Sequence, residues 1–171
     1  MNIYFQKIEE IQKKIREICD FTGVPFCAVV CSKENNEIFR YTYGTSVTGK
    51  EHLQMYSCSK PVTAIAAMML FERGLLHLND EAEKYLPELS GCFLLNESEQ
   101  KVAPKKKITI RHLLTMTAGF TYDVDTEPIR KLQRDNPLAD LRGFISAFVQ
   151  SPLSFEPGTE FQYGLCYDVL A

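Results

Sequence analysis

The chain has 171 residues, a length that fits one domain, or one domain with part of a second. Hydrophobic residues make up 45% of it and charged residues 24%. That composition belongs to a chain with a packed core and excludes a disordered tail or a low-complexity array. Nineteen basic side chains against 22 acidic ones give a net charge of −3, the wrong sign for a dedicated nucleic-acid binder.

The longest unbroken apolar run, Ala64 to Phe71, is eight residues, far short of the roughly 18 that suggest a membrane span. Glu9, Glu10, Glu17 and Asp20 interrupt the first 25 residues, so no signal-peptide core is visible. A cytoplasmic location is the expectation if Met1 is the native start, and a secreted one if it is not. The six cysteines (19, 27, 31, 58, 92 and 166) are then expected as reduced thiols. Neither they nor the three histidines (52, 77 and 112) show metal-ligand spacing, so no metal is implied.

Residues 3–20 read as an amphipathic helix, with Ile8, Ile11, Ile15 and Ile18 forming one stripe and Gly23-Val24-Pro25 ending it. Phe26 to Cys31 is continuous and apolar, as in a strand covered on both faces, and Cys27 and Cys31 read as small buried hydrophobes on one of them. A polar turn over 34–37 leads to the alternating run Ile38 to Tyr43, so the two runs form a hairpin. From about residue 50 the pattern turns to helix and loop. Ser59 to Gly74 reads as a buried helix with Gly74 as C-cap, Glu81 to Tyr85 as a short helical stretch stopped by Pro87, and 96–107 as an exposed loop. Its Lys105-Lys106-Lys107 run reads as a solvated face, with a phosphate-binding patch as the alternative. Thr109 caps a predicted helix over 110–117, another helix spans 138–150, and Pro157-Gly158 marks a turn. The expected fold class is α+β. A helix and short antiparallel sheet occupy 1–50, and a mostly helical part occupies 51–171.

Chemistry concentrates at Ser57-Cys58-Ser59-Lys60, directly before the apolar helix. Residues three apart at a first helical turn share a face, so an amine at Lys60 reaches the Ser57 hydroxyl. It can accept that proton or lower the cost of its leaving. The helix start adds unpaired N–H groups that favour a developing oxyanion. A second Ser-x-x-Lys, Ser98 to Lys101, lies in the polar loop with no helix after it and is set aside. The alternative for the first match is a helix cap by Ser57 or Ser59 beside a solvated lysine.

Ser57-Cys58-Ser59-Lys60-Pro61-Val62-Thr63-Ala64 resembles the active-site helix start of the class C β-lactamase-like serine hydrolases, a group of β-lactamases, D-alanyl-D-alanine carboxypeptidases and esterases. Ile108 to Thr115 resembles a second helix start of that family, and Phe155-x-Pro157-Gly158-Thr159-x-Phe161-x-Tyr163 its lead-in to a catalytic tyrosine. The resemblance implies a β-lactamase/transpeptidase-like fold and acyl-enzyme chemistry on a β-lactam, ester or D-Ala-peptide-like substrate. It makes Ser57 the nucleophile, Lys60 the proton acceptor or electrostatic partner, and Tyr163 the general base and acid. No cofactor is implied. The only partner it implies is the small acyl substrate.

Two departures bear on this. The family's Tyr-x-Asn is Tyr163-Gly164-Leu165 here, so the amide that contacts substrate and lysine is missing. That disfavours true β-lactamase action and leaves the lysine less well oriented. The chain also ends at Ala171, where the resemblance implies a further Lys-Thr-Gly or His-x-Gly strand. It therefore reads as the family's N-terminal portion, with little turnover alone and an open sheet edge that invites a second copy or a complementing chain. The alternative readings are a penicillin-binding-like ligand binder without turnover, and an inactive structural relic.

Overall fold

The computed structural model describes residues 3–44, 48, 50–52 and 54–171. They divide into two compact units, Met1–Met55 and Tyr56–Ala171.

In the first unit, helix α1 (Ile3–Thr22) is followed by an antiparallel hairpin of β1 (Cys27–Lys33) and β2 (Asn36–Tyr43). Gly23, at φ +69°, stops the helix in the left-handed conformation that costs glycine little, and the Val24 N–H reaches back to the Cys19 carbonyl at 3.2 Å. The inward stripe of α1 differs from the one expected. Ile8, Gln12, Ile15 and Cys19 turn inward, whereas Ile11 and Ile18 are exposed. A spacing of 4, 3, 4 through a buried cysteine follows the helix face as well as the all-isoleucine stripe does, and packing selects it. Arg16 donates to the Tyr41 hydroxyl at 3.3 Å, and the Tyr43 hydroxyl donates to Asp20, so β2 is the strand that meets α1.

Glu34 and Asn35 both have positive φ, which makes the hairpin a tight two-residue turn. The register shifts between Cys31↔Phe39 and Ser32↔Glu37, a β-bulge. Strand β1 is not covered on both faces. Cys27 and Val29 are half-buried, but Ala28, Val30 and Cys31 are exposed. The Cys27–Cys31 face therefore loses its cover before the bulge. Among the described residues this sheet has two strands only.

The second unit begins with a single 3₁₀ turn, Tyr56–Ser59, that runs without a break into α2 (Lys60–Glu72). Gly74 closes α2, and Leu75 N–H bonds to the Leu70 carbonyl at 3.0 Å. The helix is where the sequence places it but is not a buried one. Ala67 alone is buried, and Val62 and Ile65 are each 61% exposed. Two 3₁₀ turns follow, Ala82–Lys84 and Pro87–Gly91. The expected loop over 96–107 contains half of a miniature hairpin, β3 (Leu94–Leu95) with β4 (Lys101–Val102), too short to show periodicity. Lys107 pairs with Glu83 at 2.9 Å, so this lysine run is tied to the protein at that end.

Helix α3 (Ile110–Leu114) is shorter than expected and α5 (Leu141–Phe148) lies within its expected span. Asp140 caps α5 by accepting from Gly143 N–H at 2.8 Å, which sets its start later than Leu138. Helix α4 (Glu127–Asp135) was not anticipated. It is mostly charged, and its inward face is carried by the fully buried Ile129 and by Leu132. Helix α6 (Cys166–Leu170) follows the tyrosine motif. The core lies between α3, α4, α5 and α6. Leu113, Ile129, Pro157 and Cys166 are its largest fully enclosed residues, and the Phe148 ring stacks on Phe144 and meets Phe120 at a tilt of 50°.

At the start of α3, His112 and Thr109 form a reciprocal cap. The Thr109 N–H donates to His112 Nδ1 at 3.2 Å, and the His112 N–H donates to Thr109 Oγ1 at 3.3 Å. Burial, with help from Lys106 and Arg111, holds the imidazole below its ordinary titration range. The unfolded chain therefore takes up this proton first as the pH falls, and stability is lost in that direction. We expect the urea midpoint to fall between about pH 7 and about pH 5, and to fall less in His112→Gln.

Candidate active site

Ser57 lies in the 3₁₀ turn and Lys60 is the first residue of α2, so the continuous winding keeps both on one face. The Lys60 ammonium donates to Ser57 Oγ at 3.3 Å. Tyr56, immediately before the serine, has φ +44°. Such left-handed backbone is costly for a bulky residue and recurs at functional sites. The capping alternative does not describe this helix start. Ser59 occupies the N-cap position with helical backbone and makes no side-chain cap bond. The set-aside match also differs, because Lys101 lies over the Phe93 ring, 4.1 Å from its centroid.

Tyr163 reaches the same place from the other end of the unit. The fully buried Pro157 and Gly158, at φ +85°, turn the chain against His112, where a Cβ on Gly158 would sit 2.9 Å from Nε2. The Gln162 N–H then bonds to the Met116 carbonyl at 3.1 Å, and the Leu165 N–H to the Thr121 carbonyl at 3.3 Å. Between them Gly164 presses on the Phe120 carbonyl with no space for a Cβ. This backbone contact sets residues 163 and 122 side by side. Their rings stack with centroids 5.6 Å apart and planes 17° from parallel.

Tyr122 is the residue that sequence reasoning missed. It belongs to no motif, and only the contact with Gly164 brings it in. Lys60 donates to the Tyr122 hydroxyl at 3.1 Å and lies 5.5 Å from its ring centroid and 5.1 Å from that of Tyr163. Leu165, by contrast, is buried in the core. The side chain two places after the tyrosine thus contributes nothing polar. The lysine, expected to be less well oriented for that loss, has its bond to Tyr122 in this structure.

The electrostatics follow from this geometry. Burial acts against the charge on Lys60, but hydrogen bonds to Tyr122 and Tyr163 outweigh it and hold the ammonium above its ordinary range. The Tyr163 phenol is pulled below its ordinary value, first by the Ser57 hydroxyl and then, against partial burial, by Lys60 and Tyr122. Lys60 is therefore the fixed cation and Tyr163 the group best placed to hold a negative charge. The site is open, with Tyr122 47% and Tyr163 46% exposed. An apolar hollow of about 360 Å³ beneath α2, walled by Ala67, Leu76, Ile110 and Val169, is separate and includes none of these four side chains. Among the described residues no cluster of potential metal ligands occurs, and no helix is long and apolar enough to cross a membrane.

Comparison with known proteins places the chain in a family. Residues 11–170 match the Beta-lactamase family model, and the chain belongs to that family. It is 31% identical over 161 residues to the lovastatin esterase of Penicillium rubens, covering 84% of this chain and 40% of that protein. It is 32% identical over 183 residues to the acyltransferase mokF of Monascus pilosus, covering 95% and 44%. Among solved structures, EstCE1, described as a hydrolase with promiscuous acyltransferase activity, superposes with a TM-score of 0.73 at 26% identity, over 99% of this chain and 46% of that one. The fold is that of the β-lactamase/transpeptidase proteins, and the chain spans less than half the length of these relatives.

Because Gly164 permits the approach that pairs the two tyrosines, Gly164→Ala is expected to cost about 1–3 kcal/mol through overpacking, read as a lower urea midpoint. A midpoint equal to wild type would show that the Phe120 segment yields freely.

Proposed function

We propose that this chain carries the acylation half of a serine hydrolase or acyltransferase mechanism. Ser57 is the nucleophile, Lys60 the electrostatic partner and Tyr163 the general base and acid. The observation that carries this reading is the gathering of Ser57 and Tyr163 about one cation, with Lys60 Nζ 3.3 Å from Ser57 Oγ and 5.1 Å from the Tyr163 ring centroid. Ser57 Oγ attacks the acyl carbonyl while its proton passes to the Tyr163 phenolate. The tetrahedral intermediate collapses, Tyr163 returns the proton to the leaving group, and the acyl group remains on Ser57. Lys60, kept charged, stabilises the phenolate before transfer and the developing charge afterwards.

The substrate class proposed is an activated or ordinary ester rather than a β-lactam. Leu165 offers no amide for substrate recognition, and a missing polar contact costs selectivity for substrates that need it. The names of the relatives, an esterase and an acyltransferase, support the same choice. The acceptor of the acyl group is then water or an alcohol. Rapid turnover is proposed to require further polypeptide. Helix α2 leaves Val62, Ile65 and Met69 exposed, and the β1–β2 sheet has open edges among the described residues. Such surfaces suit a complementing segment or a second copy. The openness of the tyrosine pair also favours a second reading, a binder that is acylated and holds its adduct.

Intact-mass analysis after exposure to a p-nitrophenyl ester tests both. A single acyl adduct on Ser57 is expected, absent in Ser57→Ala. Its formation should slow about 100-fold or more in Lys60→Ala and Tyr163→Phe. An adduct that decays within minutes identifies a hydrolase, and one that persists identifies the binder. No adduct on Ser57 would refute the acylation role.

A further inference from the structure

Two helices start at the candidate active site and run from it to the same place. Ser57 and Lys60 stand at the head of α2, and Tyr163 stands just before α6. The two helices pack together, and both wall the apolar hollow of about 360 Å³, α2 through Thr63, Ala67 and Leu70 and α6 through Val169 and Leu170. The α2 wall continues the face that carries the chemistry. Thr63 and Ala67 follow Lys60 by three and seven residues and share one stripe with it. With a rise of about 2.0 Å per residue in the 3₁₀ turn and about 1.5 Å in α2, Thr63 lies roughly 10 Å along the axis from Ser57. The hollow contains none of the catalytic side chains, yet it begins one helical turn beyond Lys60.

The chemistry of the hollow restricts what can fill it. Among the described residues that wall it no side chain is charged, and the only polar ones are Thr63 and Tyr85, whose hydroxyl already donates to Asp80. Protein interiors leave few voids larger than a water, and an apolar void gives water too few partners to hold it. The volume lies within the range of small-molecule sites. We propose that the hollow seats the tail of an unbranched aliphatic acyl group whose carbonyl carbon is at Ser57. The proposal rests on the reading of Ser57 as nucleophile and names the substrate class, esters of medium-chain fatty acids. An alkyl chain brings no hydrogen-bonding group into a wall that has almost none to offer, whereas a charged or polar tail would be left unpaired there. Each methylene removed from water adds to the hold on the acyl group. The covalent step is unchanged. Ser57 Oγ bonds to the acyl carbon, the ester C–O bond breaks, and the serine proton leaves with the alcohol. A decanoyl chain is long enough to pass Thr63 and enter the hollow, and an acetyl group is not.

The test compares acylation of Ser57 by p-nitrophenyl decanoate, kept below its micellar limit, and by p-nitrophenyl acetate, in the whole chain and in Ala66→Phe and Leu70→Trp. Both positions wall the hollow yet are exposed on α2, so a larger side chain there occupies the hollow without entering the closed core. The wild-type chain should favour the decanoate ester by at least about tenfold in second-order acylation rate. Each variant should lose that preference, keep its rate with the acetate ester and keep the wild-type urea midpoint. Free decanoate should shift the methyl signals of Leu70 and Leu170 in wild type, and leave Leu170 unmoved in both variants. Equal rates with the two esters, or a preference that survives both substitutions, would overturn the proposal and leave Ser57 its role. No acylation by either ester would refute the functional reading, and the binding of free decanoate then decides the hollow by itself. Dimerisation that displaces decanoate would seat a second copy in the hollow and overturn the proposal.

Discussion

The close approach of Gly164 to the Phe120 carbonyl is the contact on which the candidate site depends. It allows the Leu165 N–H to bond to Thr121, and it sets Tyr163 and Tyr122 in a stack above Lys60. The serine and lysine alone offer only a hydroxyl beside a half-buried cation, and the stack adds two phenols to them. A Cβ at 164 would push two backbone segments apart, and the stacked phenols are the first groups to feel it. The turn at Pro157-Gly158 supports the same geometry from upstream, with Pro157 enclosed in the core and Gly158 fitted against His112.

The charge balance of the site is equally economical. A lysine raised above its usual range is a poor proton acceptor, which is why the proposed mechanism gives the proton work to a phenol. Phenols are weak acids in water, and this one is held below its ordinary value by its neighbours Ser57, Lys60 and Tyr122. In the proposed mechanism these four neighbouring side chains would do what a buried carboxylate and histidine do in other acyl-transfer sites. The departure from Tyr-x-Asn fits this arrangement. Leu165 serves the core, and the lysine-orienting bond has passed to Tyr122.

Much of the fold was legible because it is written in local terms. Gly23 and Gly74 end their helices in the way glycine alone does cheaply, Thr109 caps α3, and the two-residue turn at Glu34-Asn35 closes a hairpin between two apolar runs. The errors have a common origin in burial. Ile11 and Ile18 repeat at helical spacing yet face solvent, and α2 is apolar on most sides yet encloses only Ala67. Periodicity states which residues share a face, not whether another surface covers it. Helix α4 escaped notice for the converse reason, since Ile129 and Leu132 are a small apolar signal among charges.

By itself the sequence determined the family, the helix start that puts Ser57 one turn from Lys60, and the turn that leads to Tyr163. Each of these depends on residues close together in the chain, where spacing and backbone preference suffice. Only the tertiary structure decided that Tyr122 joins them, that the Lys60 ammonium is held above its ordinary range and that the Tyr163 phenol is held below its own. Those outcomes arise between segments that are 41 to 106 residues apart in sequence. Hydrogen-bond distance and partial burial set the proton affinities there, and no local pattern encodes either quantity.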